Sequence, residues 1–100
     1  MIDAVERVHS EKDGRGVWPD QWADSAPYAW SNGPGDEYGT HRHGYTKRLI
    51  CEAGSITFRI GPNAEPIQLQ AGDGFILPAG TEHSATVGPD GCTCVEGHEG

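Results

Sequence analysis

The sequence predicts an all-β domain, an antiparallel sandwich or barrel, on three observations. From Tyr45 onward, short runs of apolar residues alternate with polar ones at the period of a half-buried strand. The 100 residues include 15 glycines and 7 prolines, a turn density that suits many short strands better than a helical bundle. Beyond residue 30 no helical periodicity appears.

Taken in order, residues 1–13 are ambiguous. Ile2, Val5 and Val8 at spacing three fit a short amphipathic turn of helix, and the same stretch could instead pair as an edge strand. Asp13-Gly14-Arg15-Gly16 reads as a turn. Residues 17–30 hold Trp18, Trp22, Tyr28 and Trp30. These rings either cap an open end of the core, or bury a dimer face, or form an aromatic lid over a small-molecule pocket. Asn32-Gly33-Pro34-Gly35 is a loop.

The strands come next. Lys47–Glu52 has Leu49, Ile50 and Cys51 in succession, as expected of a strand covered on both faces. Ala53-Gly54 then turns the chain into Ser55–Ile60, where Ile56, Phe58 and Ile60 alternate with Thr57 and Arg59. Gly61-Pro62-Asn63 turns again before Ile67 and Leu69, and Ala71–Gly74 turns before Phe75–Leu77. After Pro78-Ala79-Gly80, His83, Ala85 and Val87 share a face; Gly88–Gly91 turns into a last strand, Cys92–Glu96.

Composition limits the function. One hundred residues make one domain. A chain of this size buries roughly 60–70% of its unfolded surface, so a partner chain would add to a modest core. The net charge of −8, with seven Lys and Arg, argues against nucleic acid and against an anionic membrane surface. No apolar run approaches a membrane span and no leader is visible, so the expectation is a soluble, cytoplasmic protein. Its three cysteines are then reduced thiols. Cys51 reads as core; Cys92-x-Cys94 reads as core filling or as a weak zinc signal.

The chemistry gathers at His41-Arg42-His43 and at His83. On a strand, side chains at i and i+2 leave the same face with Cα atoms about 7 Å apart, so His41 and His43 would point together. The corner at Pro78–Gly80 returns His83 towards them. Three neutral imidazoles on inward faces can supply three ligands to one ion and leave positions open for water or substrate. His9 and His98 sit near the chain ends and are not expected as ligands.

These residues stand in a recognisable register. Gly35, His41, His43 and Gly54 fit a motif of glycine, five residues, His-x-His, a spacer to glutamate, six residues and glycine, with Lys47 at the glutamate's place. Gly72, Pro78, Gly80 and His83 fit a second, glycine, five residues, Pro-x-Gly, two residues and histidine, with Val87 where that motif ends in asparagine. The sequence thereby resembles the cupin superfamily over residues 35–87. The resemblance implies a cupin-type antiparallel β-barrel or jelly roll over 35–100. Residues 1–34 would be an N-terminal extension packing on the barrel or swapping between barrels; being rich in Trp and attached to a barrel of limited core, this third of the chain is expected to bury its rings at a homodimer interface. The resemblance further implies that His41, His43 and His83 hold a divalent transition metal (Zn, Fe, Ni, Mn or Cu). Some three-histidine cupins with iron are dioxygenases; others with metal are isomerases, decarboxylases or lyases.

Lys47 departs from the family pattern, because an ammonium offers donors only and cannot ligate. Either it is a neutral general base beside the metal, or it swings away to pair with an acid such as Asp36 or Glu37. Two function classes follow: a small metalloenzyme acting on a compact organic substrate, and a non-catalytic binding module. With no output domain after the barrel pattern, the stand-alone enzyme is favoured.

Overall fold

The computed structural model describes residues 6–9 and 28–99. They form seven strands: β1 (Glu6–His9), β2 (Tyr28–Asn32), β3 (Glu37–His41), β4 (Thr46–Ile60), β5 (Glu65–Gln70), β6 (Asp73–Leu77) and β7 (His83–Glu99). Every pairing is antiparallel. Among the described residues there is no helix, hence none long and apolar enough to cross a membrane. The all-β expectation stands. Of the two readings for the first thirteen residues, the edge strand is seen at β1, which pairs with β6. The expected turn at 13–16, Trp18 and Trp22 lie outside the described residues.

Two expected turns are not turns. Lys47–Glu52 and Ser55–Ile60 run on as the single strand β4, and His83–Val87 continues through Cys92–Glu96 as β7. The two long strands pair with each other over both halves, from Thr46↔Glu99 to Ile60↔His83, and the register slips between Cys51 and Ile56. Gly54 takes φ 72° and Gly91 φ 76°. Their backbones approach so closely that a Cβ on Gly54 would collide with the Gly91 carbonyl. Glycine here makes a bulged bend inside two paired strands rather than a hairpin, and sequence punctuation does not separate the two uses.

The bend divides the sheet into two faces. The first half of β4 lies beside β6 and the second half of β7, with β1 and β2 outermost. The second half of β4 lies beside β5 and the first half of β7, which also pairs with β3. The inward faces enclose Leu49, Cys51, Ile56, Phe58, Ile60, Ile67, Leu69, Phe75, Leu77, Val87 and Cys94. The rings of Phe58 and Phe75 meet across this core with centroids 4.8 Å apart. Fully burying each such large side chain contributes about 1.5–3 kcal/mol. Leu49, Ile50 and Cys51 are all fully buried, as the double-sided reading of that strand requires.

Along β7 the inward positions read His83, Ala85, Val87, then Cys92, Cys94 and Glu96. Polar residues thus occupy both ends of the strand and apolar ones its middle. Because β4 and β7 bend together, their ends meet around one cavity while their bends lie elsewhere.

Candidate metal centre

His41 closes β3, while His43 lies in the irregular segment that follows. The two rings are therefore not brought together by strand alternation, as the sequence reading expected. A register shift between Tyr38 and His41 sets His41 directly opposite His83 on β7. The turn before His83 is tied to the His43 segment by hydrogen bonds from Gly80 N to His43 O (2.8 Å) and from Ala79 N to Thr46 Oγ1 (3.3 Å). Gly80 takes φ 80° in that turn, a conformation glycine adopts at little cost. On the surface Arg42 reaches Glu82 at 3.4 Å, an exposed pair of the kind that contributes about 0–1 kcal/mol.

The result is a cluster. Ligand nitrogens of His41, His43 and His83 all lie within 4.8 Å of one another, whereas ligands about 2.0–2.1 Å from one ion would lie roughly 3–3.5 Å apart. His41 Nδ1–H donates to Gly39 O at 2.7 Å and His83 Nδ1–H to Thr81 O at 2.9 Å. Since carbonyls only accept, both rings hold a proton on Nδ1, which leaves Nε2 as the atom that faces a ligand. His43 Nε2 and His83 Nε2 are buried and have no hydrogen-bond partner among the described residues. Buried ring nitrogens without partners are costly unless something else engages them. Burial lowers the pKa of both rings, to about 4 for His83, with the charge of Lys47 acting in the same direction. Both imidazoles are neutral near pH 7, the form that ligates metal. The donor set fits a divalent transition ion.

Lys47 and its partner complete the floor of the site. Lys47 is 8% exposed, and its Nζ lies 3.7 Å from Glu96 Oε1. The pairing acid is Glu96, not Asp36 or Glu37 as expected: Asp36 Oδ2 instead accepts from Gly33 N at 2.9 Å, and Glu37 is exposed at the start of β3. Glu96 also accepts from Trp30 Nε1 (2.7 Å), Tyr28 OH (2.7 Å) and His98 Nε2 (2.6 Å). Burial alone would raise its pKa, but the Lys47 charge and these three donors hold it below the usual carboxylate range. Tyr28 is pushed up by burial and by the Glu96 carboxylate, so its hydroxyl stays protonated. His43, Tyr45 and His98 stack in sequence, with centroid distances of 4.7 and 4.0 Å.

These groups enclose a cavity of about 330 Å³, with Tyr28, Trp30, Tyr38 and Phe58 as its apolar walls. Trp30 and Tyr28 thus line a pocket, while Trp30 also packs on the core. Sequence reasoning missed Glu96, Tyr38 and Tyr45. The one signal for Glu96 was its place in the alternation Cys92, Cys94, Glu96, which puts an acid on an inward face. His98 borders the site through Glu96 but is not one of the clustered ligands. Cys51, Cys92 and Cys94 are buried free thiols in the core.

A family model described as "Cupin domain" matches residues 30–95. No curated protein matches the sequence. Among the solved structures that share the fold are three enzymes. They are the ribosomal oxygenase YcfD from Escherichia coli (20% identity over 77% of this chain, TM-score 0.68), the DMSP lyase DddQ from Ruegeria pomeroyi (23% over 75%, TM-score 0.67) and ChmJ, a 3'-monoepimerase from Streptomyces bikiniensis (16% over 79%, TM-score 0.66). The present chain spans 23%, 38% and 48% of their respective lengths.

Proposed function

Because the chain belongs to the cupin domain family, we propose that it binds one divalent transition metal through His41, His43 and His83 and acts there on a small organic substrate. The observation that supports this most is the pair of buried, unpartnered Nε2 atoms on His43 and His83, converging with His41 in one cavity. A metal held by three imidazoles supplies Lewis acidity to a substrate oxygen, or redox chemistry with dioxygen, according to its identity. Around it this chain's residues have separate tasks. Nδ1–H bonds to Gly39 O and Thr81 O orient two ligand rings, Trp30 and Phe58 help exclude water, and Lys47 presents an ammonium to whatever enters. The structural relatives are named an oxygenase, a lyase and an epimerase, so the fold alone does not choose among dioxygenase-, lyase- and isomerase-type reactions.

One observation favours a second reading, a non-catalytic binding module. The described carboxylate of the pocket, Glu96, is engaged by four cationic or hydrogen-bonding groups and held ionised. It is a weak proton acceptor, and Tyr28 is a weak donor. In the enzyme reading Lys47 acts through its ammonium, as a charge and hydrogen-bond donor, and the neutral general base of the sequence analysis is not carried forward.

The test is metal analysis of purified protein. One equivalent of divalent transition metal per chain is expected. His43→Ala or His83→Ala should weaken its retention on the order of a hundredfold or more, as for a site reduced to two ligands, with the all-β circular-dichroism signature kept. Metal content that survives all three single histidine replacements refutes the assignment. Oxygen consumption with a panel of small carbonyl compounds then separates enzyme from binding module. Residues 1–34 are proposed to extend the barrel within a cytoplasmic homodimer; sedimentation near twice 10.7 kDa supports the dimer and a clean monomer removes it.

A further inference from the structure

We propose that the cavity selects a small, flat organic monoanion, a carboxylate, whose charged group lies between Lys47 and the three histidines while its body packs against the aromatic walls. This rests on the three-histidine reading above, and it follows from charge. Neutral imidazoles bring no negative charge to a divalent ion, so the ion would keep its full positive charge. The charge of Lys47, which lines the same cavity, is felt at both His43 and His83 and adds a further positive charge. Glu96 cannot balance either one further. Its Oε1 faces Lys47 and accepts from Trp30, and its Oε2 accepts from Tyr28 and His98. With an ion bound the pocket would therefore carry a net positive charge, and the described chain offers no other carboxylate on its lining.

The geometry of Lys47 points the same way. Its distance to Glu96, 3.7 Å, is that of an ion pair without a close hydrogen bond, which leaves ammonium donors to be satisfied from the cavity it lines. An incoming carboxylate oxygen can take a charge-assisted bond from that ammonium. The remaining lining sets the shape of the ligand. Tyr28, Trp30, Tyr38 and Phe58 present ring faces and edges, with Trp30 and Tyr38 in an edge-to-face pair 6.0 Å apart. The volume of about 330 Å³ is at the small end of ligand pockets. A formal charge of −8 on the whole chain opposes the approach of multiply charged anions, which favours a monoanion over a phosphate ester. Lys47 is thereby the specificity residue and Glu96 its positioning residue.

Benzoate and its uncharged isostere benzamide are the probes, titrated by calorimetry into metal-loaded and metal-free protein at fixed ionic strength. Benzoate should bind the loaded protein at least tenfold more tightly than benzamide, and the metal-free protein with a smaller preference in the same direction. The double variant Lys47→Met with Glu96→Gln, which leaves no buried charge unpaired, should bring the ratio towards one without changing metal content. Lys47→Arg should keep it. Equal binding of the two probes by the wild-type protein in both forms overturns the proposal, as does a ratio unchanged in the double variant. A protein that binds no metal yet prefers benzoate through Lys47 supports the anion site while refuting the metal assignment. One that binds a metal per chain yet treats the two probes alike does the reverse.

Discussion

The middle and the ends of β7 obey the same alternation yet meet opposite needs. At Val87, Cys92 and Cys94 the inward side chains are apolar or thiol and fully surrounded by core, so packing alone decides what fits there. At His83 and Glu96 the inward side chains are polar, equally buried, and each must find partners. Glu96 finds four. His83 finds one for Nδ1 and none for Nε2. The difference marks the candidate site: an inward strand position there carries a polar group that the described residues leave incomplete, and the proposed ligand would be its partner.

The sharpest way to break this comparison is to remove a polar partner and an apolar one in turn. Glu96→Ala orphans the Lys47 ammonium and the donors of Tyr28, Trp30 and His98, and should destabilise the fold by about 3–5 kcal/mol. Leu69→Ala, a fully buried core position, should cost a similar amount, about 2–5 kcal/mol, through its cavity. A second substitution tells them apart. Lys47→Met should partly offset Glu96→Ala, because no buried charge is then unpaired, and should add independently to Leu69→Ala. Denaturant unfolding that shows additivity in both pairs would remove the distinction between the two regions.

Acid titration gives a smaller effect, confined to the polar end. In the folded, metal-free protein His83 has a pKa of about 4, below its ordinary value of 6.5, so the unfolded chain takes up the proton first as pH falls. Stability is therefore lost between about pH 6.5 and 4, by up to about 3 kcal/mol. Glu96, held below the usual carboxylate range, contributes stability that is lost on further acidification, in the same direction. Thermal melts of the metal-free protein at pH 7 and 5 should show the drop. His83→Gln, with no group to titrate there, should show less of it, and an equal drop in that variant would contradict the account.

Much of this was legible in the sequence, for identifiable reasons. The alternation of Ile56, Phe58 and Ile60 showed which face of β4 is core, and His41, His43 and His83 were visible because they fall in the register of the two cupin motifs. What was hidden depends on register across the sheet. Glu96 stands 49 positions from Lys47, and only the β4–β7 pairing brings them together. Asp36 and Glu37, nearer in sequence, looked the better partners. The bends at Gly54 and Gly91 were read as turns because a glycine in a bulge and a glycine in a hairpin carry the same local signature. Tyr38 and Tyr45 flank the histidine motif yet carry no spacing rule, so only the folded cavity shows their role.

The contrast between the two regions also yields the most direct test of the central claim, since each offers a different donor to a metal: imidazole nitrogen at the polar end, cysteine sulfur in the middle. X-ray absorption at the edge of the metal that co-purifies should report imidazole nitrogens at about 2.0–2.1 Å, three per ion, with no sulfur. Sulfur scattering at about 2.3 Å would place the ion at Cys92 and Cys94 instead, and would contradict the assignment of His41, His43 and His83 as its ligands.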